Sequence, residues 1–289
     1  MNRFIPALLS FFGFIHSQSS FGQTPADSIL FTQANWKKTE VRPGLTWQEA
    51  HFDGLFRAKQ QVNLLIFKQR PRRLKLAFAS AGDSLKPTSW FGQTHGAVAA
   101  LNGTFFDVKK GGSVDLIKID RHVIDTTVYT PNKPLSEHQQ AAITLRRNRM
   151  KLVFGGNNPG WDQRLKAPNV MVTGPLLMQN GQRHPLLKNA FNDNRHPRTC
   201  ACITRDKRVI LLTADGRNAN AYGLSLPELT SLMQWLGCRD AINLDGGGST
   251  TLWIRGQPDN GVVNYPSDNK QWDHLGERPV SNVLLLLEK

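Results

Sequence analysis

The sequence predicts a strand-rich α+β protein, with mixed sheets, a few packed helices and one domain. Three observations predict it. Short apolar or alternating runs recur along the chain, bounded by Gly, Pro, Asn and Asp. Only one segment combines helical spacing with signals at both ends. No repeat or linker divides the 289 residues. Apolar residues make up 39% and charged residues 20%, which excludes a disordered chain. The 24 Gly and 16 Pro lack a period, which excludes collagen-like and low-complexity architectures.

The first 22 residues read as a signal peptide. Arg3 supplies the positive end, Phe4 to Ile15 carries no charge, and Ser20-Phe21-Gly22 offers small residues for cleavage after Gly22. The run is too short to span a bilayer, and no later segment is long and apolar enough. The competing reading is a buried N-terminal helix. The expected product is exported, periplasmic or secreted, with no membrane span. Residues 23–60 are weakly patterned and read as a lead-in with a strand or two. Residues 61–289 form the main domain.

Within it, Val62–Phe67 and Leu74–Ser80 read as strands around a basic, Pro-containing turn. Ala97–Leu101 is a short apolar strand ahead of Asn102-Gly103. Ala141–Leu145 and Met150–Phe154 read as a hairpin. Residues 155–170 and 181–196 read as long loops, a common seat of function. Arg208–Thr213 is a further strand. The helix follows: Ser225 and Glu228 form a capping box and Pro227 sits in the first turn. Leu226, Leu229, Met233 and Leu236 share a face, and Gly237 ends it. Ala241–Leu244, Thr251–Ile254 and Val283–Leu287 complete the strands.

Thirty-six Lys and Arg against 22 Asp and Glu give a formal charge of +14. The excess gathers at Lys68, Arg70, Arg72, Arg73 and Lys75, and at Arg146, Arg147, Arg149 and Lys151. Hairpin turns and solvated strand edges carry such charge to block edge pairing. Attraction of an anionic envelope polymer or an acidic substrate is the competing reading. Export and the lack of a nucleic-acid motif argue against nucleic acid as partner. Cys200 and Cys202 are too close along one strand to bridge, Cys202–Cys238 pairing is open, and all three cysteines are expected in the core. No Cys/His spacing marks zinc.

The chemistry is expected where strands end. Asp245 leaves a buried strand into Gly246-Gly247-Gly248-Ser249-Thr250. Three glycines beside an acid exceed what a hairpin turn needs, and exposed amides there suit a phosphate or oxyanion. Thr213-Ala214-Asp215-Gly216-Arg217 and Asn102-Gly103-Thr104-Phe105-Phe106-Asp107 also close strands. Either alone is also a turn signal. Asn102-Gly103-Thr104 is formally a glycosylation sequon. Pro197-Arg198-Thr199 enters a strand, and Arg278-Pro279-Val280-Ser281-Asn282 precedes the last one. Carboxylates serve glycoside hydrolysis and arginine forks bind phosphate. Together they point to a substrate carrying both a sugar and a phosphate.

These blocks, with Gly223-x-Ser225-Leu226-x-Glu228-Leu229 before the Asp245 block, resemble the phosphodiester glycosidases from about Val62 to Leu287. The resemblance implies cleavage between a sugar C1 and a phosphate oxygen, giving free sugar and a phosphomonoester. Asp245 is then expected as nucleophile or base, with Asp215 its partner and Asp107 the second choice. Arg198, Arg217, Arg278 and the Gly246–Gly248 amides are expected at the phosphate. Asn102 and Asn282 are expected at sugar hydroxyls, with Gly103, Thr213, Gly216, Ser249 and Thr250 lining the site. No cofactor is required; a divalent cation at the carboxylates stays open, since Asp oxygens suit hard cations. The expected partner is a phosphorylated glycan or sugar-1-phosphodiester, including envelope glycans and exopolysaccharide. The alternatives are a phosphodiesterase cutting the other side of phosphorus, usually with two metals, and an exported glycan-binding protein.

Overall fold

The computed structural model describes residues 25–69, 72–130 and 132–289. The expected signal segment and Arg70 lie outside the described residues. Among them no helix is long and apolar enough to cross a membrane.

Three sheets build the domain. The largest has eight strands in the order Lys37–Arg42, Leu45–Phe52, Gln60–Lys68, Arg208–Ala214, Arg198–Thr204, Cys238–Asn243, Leu176–Gln179 and Gln182–Arg183. A five-stranded sheet runs His122–Asp125, Ile117–Ile119, Asn169–Thr173, Ala141–Arg146 and Arg149–Phe154. A four-stranded sheet runs Leu252–Ile254, Ala97–Asn102, Asn282–Glu288 and Leu74–Ser80. The strand-rich α+β class holds, but the sheets are antiparallel at every described strand pair rather than mixed.

The central core lies where the sheets face one another. Leu65, Leu211 and Ile242 from the first meet Ile143 and Met171 from the second and Phe78, Leu101 and Leu284 from the third. The intervening residues of the large sheet, among them Leu64, Leu212 and Cys202, pack on its other face beneath Leu226, Leu229 and Met233 of the helix Leu226–Trp235. Burial on both faces explains why Arg208–Ala214 reads as a continuous apolar run. The helix Thr88–Thr94 similarly covers the four-stranded sheet through Phe91.

The expected capping box forms: Glu228 N donates to Ser225 Oγ at 3.3 Å, and Ser225 N donates to Glu228 Oε2 at 2.9 Å. The expected hairpin also forms, turning through Arg147 and Asn148 at φ 50° and 57°. The turn after Val62–Phe67 is not a hairpin. Gln60–Lys68 pairs in the large sheet, whereas Leu74–Ser80 pairs with Asn282–Glu288 in the small one. The basic link between them therefore crosses sheets. The lead-in also belongs to the domain. Leu45–Phe52 pairs along all of Gln60–Phe67, and the helix Pro25–Thr32 sends Phe31 into the core. Cys202 and Cys238 form a disulfide between adjacent strands, while Cys200 stays a buried free thiol.

Candidate active site

Antiparallel pairing sets the site. It places the end of Arg208–Ala214 beside the start of Arg198–Thr204, with Ala214 opposite Arg198, and Asn243 opposite Cys200. Asp215 and Asp245 leave these strands at one end of the sheet. The small sheet delivers Asn102 and Asn282 there, since Val283 sits opposite Asn102.

Asp245 is fixed through its backbone. Its N–H donates to Gly103 O at 3.1 Å, and its carbonyl accepts from Asn102 Nδ2 at 2.7 Å. Burial pushes its carboxyl above the usual range. The Ser249 hydroxyl, the Gly246 amide and then Arg278 and Arg217 pull it back.

Each glycine of the triplet has a separate cause. A Cβ on Gly246 would lie 2.6 Å from Pro197 O. Gly247 has φ +61°, and its Cβ would sit 2.9 Å from an Arg217 nitrogen. A Cβ on Gly248 would meet Asp268 and Arg278 side-chain atoms at 2.4 and 2.5 Å. The expected three-amide cradle is smaller than the sequence implied. Gly246 N donates to Asp245 Oδ1 at 2.9 Å, and Gly247 N donates to Pro197 O at 2.8 Å. Gly248 N–H alone of the three has no acceptor among the described residues.

The arginines divide. Arg278 Nε and a terminal nitrogen donate to Asp268 Oδ1 at 2.9 and 2.5 Å. Arg217 is exposed beside Gly247 and forms no ion pair among the described residues. Arg198 is buried, and it holds a loop. It donates to the carbonyls of Leu224, Phe191 and Asn194 at 2.8, 2.6 and 3.0 Å, and it lies over the Phe191 ring. Desolvation, then Arg217, brings its pKa down to about 10. Burial followed by Arg198 and Arg217 also depresses His196, so this corner is electropositive.

Asp215 is fully buried. Asn264 Nδ2 donates to its Oδ1 at 2.8 Å, and its Oδ2 has no partner. Burial raises its pKa to about 7, with the Asn264 amide and the Tyr265 backbone opposing. A chain of polar contacts links it to Asp245. Asn264 Nδ2 also donates to Thr250 O at 3.0 Å, and Thr250 Oγ1 lies 3.4 Å from Thr199 Oγ1. Thr199 Oγ1 donates to Asn102 Oδ1 at 2.8 Å, and Asn102 grips the Asp245 carbonyl.

Several expected contacts are occupied from within. Asn102 is buried and engages Thr199, Thr251 N and Asp245 O, so it is a clamp rather than a sugar-facing amide or a glycosylation site. Asn282 Oδ1 accepts from Thr104 N at 2.8 Å, while its buried Nδ2 is unpartnered, as is Thr213 Oγ1. Gly103 leaves room for Asn282, and Gly216 leaves room for Pro197 and Gly223. Ser249 and Thr250 are buried under the Gly loop. Asp107 caps its own turn, accepting from Lys109 N and Lys110 N at 2.8 and 3.0 Å. Those amides hold its carboxyl below the usual range, which suits a turn cap and not a proton donor.

The structure adds residues the sequence reading missed. Asn264 bridges Asp215 and Thr250, and Asp268 orients Arg278. Tyr265 stacks on Trp272 at 4.0 Å with His274 at 4.3 Å, and His274 Nδ1 lies 2.6 Å from Asn264 O. An isolated Asn after the apolar pair Val262-Val263 was the available signal for Asn264. The aromatic stack had none, since its members are spread over ten residues of loop.

An antiparallel α+β domain with acids, arginines and a glycine turn gathered at one sheet end defines a hydrolase-like site class. The chain belongs to the phosphodiester glycosidase family, whose model matches residues 95–287. It is 25% identical over 211 residues to mouse N-acetylglucosamine-1-phosphodiester alpha-N-acetylglucosaminidase, covering 72% of this chain and 35% of that protein. The chain thus matches about a third of that relative's length. It is 28% identical over 88 residues to the uncharacterized SPbeta prophage-derived protein YomE of Bacillus subtilis, covering 26% of this chain and 14% of that one. The fold is similar to the catalytic domain of the zebrafish N-acetylglucosaminidase, auto-inhibited by its pro-peptide. The TM-score is 0.66 at 18% identity, over 88% of each chain. A hypothetical protein from Synechocystis matches with TM-score 0.68 at 15% identity, over 88% of this chain and 64% of that one.

Proposed function

We propose that this protein is an exported hydrolase that cleaves the C1–O bond of a glycosyl-1-phosphodiester, releasing free sugar and a phosphomonoester. One observation carries the reading. A half-buried carboxylate facing Arg278 and Arg217, Asp245, is tied through Asn102, Thr199, Thr250 and Asn264 to a second acid, Asp215, whose pKa lies near neutrality. Two acids with different environments are the usual division of labour in glycoside hydrolysis.

In this reading Asp245 acts at the anomeric carbon, as nucleophile or as base on water. The C1–O electron pair moves onto the phosphate oxygen, and water supplies the new C1–O bond, either directly or by hydrolysing a glycosyl–Asp245 ester. Arg217, Arg278 and the Gly248 N–H receive the charge that develops there. With its pKa raised to about 7, Asp215 exchanges a proton around neutral pH, and its unpartnered Oδ2 supports contact with a bound group. Asn282 Nδ2 and Thr213 Oγ1 are likewise buried without partners and stand as substrate contacts. The Tyr265–Trp272 stack beside Asn264 is a fitting wall for a sugar face. The apolar N-terminal run supports export, and an envelope glycan or exopolysaccharide is the substrate class that fits it.

Phosphorus NMR with a panel of sugar-1-phosphodiesters tests the reading. It predicts a phosphomonoester appearing with free reducing sugar. Sugar-1-phosphate with free acceptor would instead place the cut on the other side of phosphorus. Saturable binding without turnover would make the protein a glycan-binding module.

A further inference from the structure

The two basic segments noted in the sequence meet in space. Gln69 Nε2 donates to Met150 O at 2.9 Å, and Gln69 Oε1 accepts from Met150 N at 3.1 Å. Asn148, at the tip of the hairpin, donates to Leu74 O and accepts from Leu76 N at 2.7 and 2.8 Å. Gln69, Leu74 and Leu76 are thereby joined to the hairpin residues Asn148 and Met150 at the end of the large sheet opposite Asp245.

A cavity of about 480 Å3 opens beside this seam, lined by Arg149, Lys151, Arg205, Lys207 and Arg239 with a single carboxylate, Asp240. Asp240 pairs with Arg239 at 2.5 Å. The other four cations form no ion pair among the described residues. Two cross-strand pairs at this end oppose like charges, Arg146 with Arg149 and Lys68 with Arg208. Such pairs cost stability in a sheet. Edge protection accounts for Arg149 and Lys151, which lie on an outer strand. It does not account for Arg205 and Lys207, in the turn between two central strands, or Arg239 on a third. A bound polyanion would engage Arg149, Lys151, Arg205 and Lys207 at once, beside the already paired Arg239.

We propose that this cavity is a second anion site, which holds a phosphate-bearing glycan chain away from the catalytic end. The glycan identity rests on the proposed function; the charge arrangement stands without it. Arg198–Thr204 runs from the catalytic end to the cavity, and its seven residues span about 20 Å at roughly 3.3 Å per residue. A polymer engaged here presents another of its phosphodiesters to Asp245. Arginine forks favour phosphate oxygens, and several such contacts make binding steeply salt-dependent.

Short-chain inorganic polyphosphate, titrated calorimetrically into the intact protein, is the probe. Binding should be saturable and should weaken as salt rises. Arg149→Glu/Lys151→Glu, two exposed hairpin positions, should weaken it by about tenfold or more. Lys109→Glu/Lys133→Glu, which carries the same net charge, should retain it. Turnover of a small soluble sugar-1-phosphodiester should match wild type in both, and neither should melt below wild type, since Arg149→Glu relieves the like-charge pair with Arg146. Equal losses in the two double variants, no binding by wild type, or tighter binding of single-stranded DNA of equal charge would each overturn the proposal. Failure of the catalytic reading shows separately, as no turnover of the small substrate by wild type whatever polyphosphate does.

Discussion

Asp215→Asn should change how stability depends on pH. The Asp215 carboxyl is buried, its Oδ2 has no partner among the described residues, and burial raises its pKa to about 7, well above the usual carboxylate range. The folded state therefore holds a proton that the unfolded state has released. This contribution is fully present below the unfolded pKa and is lost as pH rises through the folded one. Each pH unit in that window is worth about 1.4 kcal/mol, so wild type should lose about 3 kcal/mol from this group between roughly pH 5 and 8.5. An asparagine can still accept from Asn264 through its oxygen, and it cannot ionise. Other raised acids, such as Asp245 and Glu277, act in both proteins and cancel in the difference. Urea unfolding of both proteins at the two pH values is the assay. The variant should gain on wild type by about 3 kcal/mol as pH rises. A wild-type-minus-variant difference that does not move with pH would refute the buried, proton-holding assignment.

Three further outcomes follow from the same geometry. Arg217→Ala removes an exposed, unpaired cation, so stability should stay within about 0.5 kcal/mol while kcat/KM falls roughly 10- to 100-fold, the worth of a charged hydrogen bond. Steady-state kinetics beside thermal melts checks both. Gly246→Ala drives a Cβ to 2.6 Å from the Pro197 carbonyl and should cost about 1–3 kcal/mol in chemical denaturation. In Gly248→Ala the nearest atoms to the new Cβ belong to the movable Arg278 and Asp268 side chains, so it should spare stability and lower activity. Breaking Cys202–Cys238, which spans 36 residues, with Cys238→Ser should cost about 3–4 kcal/mol by loop entropy, read from denaturant midpoints.

The fold was legible where local rules act alone. Ser225, Pro227, Glu228 and Gly237 bracket the helix because capping is a contact between near neighbours. The strand Leu74–Ser80 was bounded by its own apolar run. Asn169–Thr173 and Leu176–Gln179 were not singled out: they are short and interrupted by Gly174-Pro175, and only their pairing partners make them strands. The partner of Leu74–Ser80 was equally hidden, because sheet choice depends on contacts more than 200 residues away. At the site, Asp215 and Asp245 stood out as acids at strand ends beside glycine. Their partners did not. Asn264 works through one amide nitrogen shared between Asp215 and Thr250, and Asn102 turned inward because its amide is needed by Asp245 and Thr251. The amide cradle was overread for the same reason, since Pro197, remote in sequence, takes one of its N–H groups.

In the proposed reaction the sugar C1–O bond breaks and the phosphate keeps its bridging oxygen. Hydrolysis of a glycosyl-1-phosphodiester in oxygen-18 water, quenched early and read by phosphorus NMR and sugar mass spectrometry, tests it most directly. The expected products are unlabelled phosphomonoester and sugar labelled at the C1 hydroxyl, with turnover lost in Asp245→Asn. Label in the phosphate, or an undiminished rate in that variant, would contradict it.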